Sequence, residues 1–140
     1  MFISGTFYGT ISVAQAYAEA LSQFLCDKQL VPASRKDNAT SAKSRWIKLC
    51  QEKIVTEASR DAAHETLSFS RNHFHHLNDA VEQDHAKLEA TAEQCVNHIF
   101  TIESDVFAYT YSSGAIVPRT PEYWPSADEG LINVRLRQPC

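Results

Sequence analysis

A chain of 140 residues, 44 % hydrophobic and with only four glycines and five prolines, suffices for one domain that buries roughly two-thirds of its unfolded surface. That composition excludes an extended disordered chain. A net charge of −4 excludes a uniformly basic nucleic-acid-binding surface, because phosphate contacts need clustered Lys and Arg.

The charge is unevenly distributed. Lys28, Arg35, Lys36, Lys43, Arg45, Lys48 and Lys53 fall in one stretch, opposed only by Asp37 and Glu52, whereas Glu57 to Asp105 is strongly acidic. A solvated helix face explains such a pattern, and orientation of an anionic partner is the alternative. Cys26, Cys50, Cys95 and Cys140 form no Cys-x-x-Cys pair. Three of them fall inside expected helices, where a thiol acts as a small apolar group, so neither a zinc knuckle nor a disulfide framework is expected. No basic residue precedes Lys28, so the charged start of a signal peptide is missing. No apolar run approaches the ~20 residues of a membrane span. The expectation is a cytoplasmic protein with no membrane partner.

In chain order, Phe7, Ile11, Ala14, Ala18, Leu21 and Leu25 recur at steps of four and three, and Tyr17 and Phe24 widen that face. This predicts a bundle helix from about Thr10 to Leu30, stopped by Pro32. Glu19 within it reads as an exposed helix former, with a carboxylate facing the site as the alternative. After a polar linker, Ser41 is placed to cap a second helix whose inner face is Trp46, Ile47, Cys50 and Ile54. Thr56 with Ser59, or Asp61, offers a third start, with Ala63, Leu67, Ser70, Phe74 and Leu77 on one stripe. Leu88, Ala92, Cys95, Ile99, Ile102, Val106 and Tyr109 then keep the four-three rhythm through three heptads, predicting a helix over about Asp84 to Tyr111, ended by Ser113-Gly114.

Beyond Gly114, Pro118, Pro121 and Pro125 interrupt any helix. Leu131 to Leu136 alternates as a short strand, with Ala115-Ile116-Val117, Phe2-Ile3 or another subunit as possible partners. The expected fold is all-α: an antiparallel bundle of four or five helices over residues 1–112, with a Pro-rich extension over 113–140 that contains a short β-strand and packs on the bundle or on a dimer mate.

Ser68 to Asn78 holds three of the six histidines, His73, His75 and His76, beside Arg71 and Asn72. Metal-free RNA cleavage needs a group that moves protons near neutrality, which histidine supplies. It also needs a fixed cation for the charge gathering on phosphorus, which arginine supplies. Five residues apart on one continuous helix, Arg71 and His76 stand about 140° apart. They share a cleft only if the helix breaks or a second copy completes the site.

Arg71-Asn72-x-x-x-His76, together with the helix order from Phe7 to Tyr111, resembles the HEPN family of small helical domains, many of which cleave RNA. The resemblance implies a homodimer with paired motifs lining one cleft. His76 would be general acid or base, Arg71 would stabilise the phosphorane, and Asn72 would position them, with no cofactor and with RNA as substrate. It also implies a toxin–antitoxin or phage-defence setting. The Pro-rich tail departs from the compact family bundle.

Two alternatives stand beside this reading. One is a non-catalytic helical module, immunity or antitoxin-like, that binds a protein partner. The other is a di-metal bundle built on Glu82-x-x-His85 and Asp61-x-x-His64 with Glu19 and Glu103. Such pairs arise by chance in acidic helices, and Glu82 gains from the helix dipole alone. Neighbouring His73, His75 and His76 seldom converge on one zinc.

Overall fold

The computed structural model describes residues 2–29, 41–69 and 85–124. Among these are four α-helices: α1 (Phe2–Lys28), α2 (Ala42–Gln51), α3 (Glu57–Ser68) and α4 (His85–Val106). A two-stranded antiparallel sheet, β1 (Tyr109–Ser112) with β2 (Ala115–Pro118), and a 3-10 turn at Pro121–Tyr123 follow. The fold is an all-α bundle with a short β extension. The strand expected at Leu131 to Leu136 lies outside the described residues, as do Ser70, Phe74 and Leu77.

The four-three rhythm of α1 is its buried face: Ile11, Ala14, Ala18, Leu21 and Leu25 are each at most 6 % exposed. The helix starts earlier than its strongest periodicity, at Phe2, even though Gly5 and Gly9 disfavour helix there. Phe7 and Tyr8 pack on the cluster of Ile11, Ala14, Leu88, Ala92 and Cys95, so tertiary burial outweighs local propensity. Ser41 caps α2 by accepting from the Ser44 amide at 3.2 Å, and Thr56 caps α3 by accepting from the Ser59 amide at 3.3 Å. Both expected starts hold.

The inner face of α2 is Trp46 and Leu49, three apart and both fully buried; Ile47 is 41 % exposed. Ile47 is thus not the inner-face residue its hydrophobicity predicts, because its position is turned about 100° from Trp46 on the helix. The indole of Trp46 donates to the Ala18 carbonyl at 3.1 Å, which welds α2 to α1.

Three sets of contacts, one to each neighbouring helix, give α3 its direction. Lys43 reaches Ser68 while Cys50 meets Arg60, Thr56 and Ser59 bond to Asp105, and Gln15 bonds to Thr66 and Phe69. Thus α3 runs antiparallel to α2 and α4, and its C-terminal end meets the first half of α1. α1 and α4 run side by side in the same direction: Ile11 and Ala14 pack with Leu88 and Cys95, Leu21 and Leu25 with Ile102 and Val106, and Tyr17 bonds to Glu103.

α4 buries Leu88, Ala92, Cys95, Ile102 and Val106, but it ends at Val106 rather than near Tyr111. Tyr109-Thr110-Tyr111 are β-branched or aromatic residues that favour an extended chain, and they pair with Ala115 to Pro118. Ser113-Gly114 is the two-residue turn of that hairpin, with φ of 52° and 79°, the doubly left-handed geometry whose twist suits antiparallel strands. Ala115-Ile116-Val117, one of three partners offered to the Leu131 to Leu136 strand, is a strand, but it pairs with a segment whose rhythm predicts helix. Phe2-Ile3, another of the three, belongs to α1.

A Cβ on Gly114 would meet no atom within 4 Å, so any cost of substitution is backbone strain. Gly114→Val is expected to cost about 1–2 kcal/mol, seen as a drop of roughly 3–6 °C in a thermal melt. An unchanged melting temperature would show that the turn does not hold that geometry in solution.

Candidate active site at the end of helix α3

Arg71, Asn72 and His76 lie outside the described residues, as do His73 and His75. α3 ends at Ser68, and Phe69 turns extended (φ −61°, ψ 118°). The helix thus stops before Ser70, and the rest of the expected stripe lies outside the described residues.

Gln15, on α1 and only 3 % exposed, donates through its side-chain nitrogen to the carbonyls of Thr66 at 3.1 Å and Phe69 at 2.7 Å. Both carbonyls belong to the last turn of α3 and its cap. One buried amide thus bonds to both and holds the end of α3 against α1, two residues before Arg71 in the sequence. The sequence pattern holds no hint of this role, because a Gln beside Ala14 reads as an ordinary helix residue.

Two polar groups flank the same helix end. On one side Lys43 Nζ donates to Ser68 Oγ at 2.8 Å, the Ser68 hydroxyl donates to the His64 carbonyl at 2.6 Å, and His64 Nε2 lies 3.1 Å from the Lys43 carbonyl. A lysine of the basic stretch therefore sits at Ser68, three residues before Arg71. On the other side His98 reaches Glu65 Oε2 through Nε2 at 3.0 Å and Thr66 Oγ1 through Nδ1 at 3.2 Å. This Glu–His–Thr chain has the connectivity of a nucleophilic triad but not its access. Thr66 is fully buried and its hydroxyl donates to the Ala62 carbonyl at 2.9 Å, so it serves structure.

The di-metal alternative finds no support among the described residues, where no group of three His, Cys, Asp or Glu side chains could hold an ion. Asp61 pairs with Arg60 at 2.7 Å, His64 faces a carbonyl, and Glu103 accepts from the Tyr17 hydroxyl at 2.9 Å. Burial first, and then that carboxylate, push the Tyr17 hydroxyl well above the usual phenol range. Glu82 and the His85 side chain lie outside the described residues. Glu19 is on an exposed face of α1, as expected of a plain helix former. Cys26, Cys50 and Cys95 are free thiols. Burial pushes Cys95 up to about 11, which suits an inert core residue and not a nucleophile.

A dense electrostatic knot lies at the other end of α3. Asp105 Oδ2 accepts from the Thr56 amide at 2.8 Å, the Thr56 hydroxyl at 2.9 Å and the Ser59 hydroxyl at 2.7 Å. Arg119 Nη2 donates to Asp105 Oδ1 at 3.1 Å and to its carbonyl at 2.6 Å. Burial alone would raise the carboxyl, but these hydrogen bonds outweigh it and hold Asp105 below the usual carboxylate value. The geometry is that of a clamp: an acceptor at the start of α3 and a latch from the end of the hairpin onto the last turn of α4.

A carboxyl whose folded pKa is lowered adds stability above its unfolded value and loses it as pH falls through the folded one. Asp105→Asn is expected to cost about 1–2 kcal/mol at pH 7. The gap between the two proteins should narrow as pH drops below about 4. Urea titrations at several pH values check this, and a gap independent of pH would contradict it.

Comparison with protein-family models, curated proteins and solved structures found no match. Among the described residues no helix is long and apolar enough to cross a membrane.

Proposed function

We propose that the chain is a HEPN-like domain that cleaves RNA without metal, of toxin or phage-defence type, acting as a homodimer. His76 moves the proton at the 2′-hydroxyl or the leaving 5′-oxygen, Arg71 offsets the charge that builds on phosphorus, and Asn72 orients the pair. The observation that carries this reading is the Gln15 amide, buried and bonded to both Thr66 and Phe69, which gives the motif a rigid point of departure. Catalytic groups need such support to be held within a fraction of an ångström of their working positions. The Lys43 ammonium at Ser68 adds a cation beside that departure, favourable for a phosphate backbone.

Expression of the wild type with Arg71→Ala and His76→Ala tests the reading. The wild type is expected to inhibit growth and fragment total RNA with or without EDTA, and neither variant is. Intact RNA and normal growth with the wild type would end it.

A second reading, a helical module of immunity or antitoxin type that binds a protein, is favoured by one observation. Val13 and Phe100 are 69 % and 62 % exposed on adjoining helices, where water is a poor neighbour for them.

A further inference from the structure

Val13, Val96 and Phe100 stand along a groove of about 460 Å³ between α1 and α4, floored by Ala14, Tyr17 and Ile99. Single apolar residues on a surface need no explanation. Here they are contiguous, and they meet across two helices that run in the same direction. Val96 and Phe100 belong to one stripe of α4. Steps of three and four extend that stripe to Glu93 and Glu89 on one side and to Glu103 on the other.

The α1 wall contributes Gly9, Thr10, Val13 and Tyr17, none of them charged at neutral pH. The lysines of these two helices are remote. Lys28 is 15 residues beyond Val13, about 22 Å along the axis. Lys87 precedes Val96 by nine residues, which places it about half a turn around α4. The groove is apolar at its centre and has the half-buried Glu103 in its lining at one end; beyond its other end the α4 stripe continues through the exposed Glu93 and Glu89.

We infer that this groove binds an amphipathic α-helix of another protein, apolar along one stripe and rich in Lys and Arg at its flanks. A helix supplies anchors at i, i+3 or i+4, and i+7, the rhythm of a groove between two helices. Flanking cations meet Glu89 and Glu93 at one end and Glu103 at the other, which steers encounter and sets register. A second copy fits poorly. A two-fold axis would place the same acidic stripe against itself, and neither groove helix brings a lysine to that face. The inference rests on the interaction-module reading and does not depend on RNA cleavage.

The test uses the full chain and two labelled 18-residue model helices that share a leucine stripe, one flanked by lysines and one by glutamates. Fluorescence anisotropy is expected to show the lysine peptide binding about ten-fold more tightly or better, and less tightly as salt rises. Val13→Ser with Phe100→Ser should weaken it about ten-fold. Glu89→Lys with Glu93→Lys should remove its advantage over the glutamate peptide; Glu103 is left in place because it holds the Tyr17 hydroxyl. Equal binding of both peptides to the wild type would overturn the charge inference while leaving an interaction surface in place. Binding of neither would overturn both. Binding untouched by the groove variants, or a dimer by light scattering that Phe100→Ser dissociates, would also overturn the inference.

Discussion

RNA cleavage by His76→Ala is expected to be about 10²–10⁴-fold slower than by the wild type, the usual worth of a positioned general acid or base. Arg71→Ala should lose about 10²–10³-fold, since it removes a preorganised charge from the transition state. Arg71→Lys should recover only part of that loss. A lysine keeps the charge but not the planar fork that matches phosphate oxygens. The double variant should be little slower than the worse single one, because groups that act as a unit are not additive. Single-turnover cleavage of end-labelled RNA, with circular dichroism to confirm the fold, measures all four. Full activity in both alanine variants would remove the nuclease proposal, and an unfolded variant would be recognised by its lost helicity.

Trp46→Ala should have the largest effect on stability. Its side chain is fully buried in the core cluster that includes Leu21, Leu25, Leu49, Ala62 and Ala63, where α2 packs on α1 and α3. Truncating a buried Trp costs about 3–5 kcal/mol. That is a large part of the roughly 5–15 kcal/mol by which a domain is stable. With a urea slope of about 2 kcal/mol/M, the unfolding midpoint should fall by about 2 M. Trp46→Phe keeps most of the apolar volume and gives up the N–H bonded to Ala18, so it should cost roughly 1–2 kcal/mol. If the two substitutions cost the same, the hydrogen bond and not the packing holds α2 in place.

These expectations differ in how far the residues alone support them. The buried faces of α1 and α4 follow from a four-three rhythm, which reports the side of a helix directly. Ser41 and Thr56 are legible as caps because a hydroxyl before an apolar rhythm has one local partner, an amide three residues on. Ile47 misleads because an apolar residue beside a buried Trp reads as core until the neighbouring helix is in place. Tyr109 misleads because it continues the rhythm of α4 while its local preference is extended. The hairpin decides between them: Ser113-Gly114 turns back and pairs Tyr109 with Pro118.

The candidate site divides in the same way. Arg71, Asn72 and His76 are visible as residue types at a spacing, and the chemistry asked of them is a property of an imidazole and a guanidinium. Gln15, Lys43 and Asp105 carry no such signal. Their partners lie 54, 25 and 49 residues away, and only packing brings them into hydrogen-bonding range.

Helix faces, caps and the presence of a titratable motif were set by the amino-acid sequence, since each depends on residues within a turn or two of one another. Tertiary structure decided where α4 stops, which carbonyls Gln15 ties together and that α1 and α4 leave an apolar groove. Those outcomes depend on which surfaces compete for burial, and that competition exists only once distant segments meet.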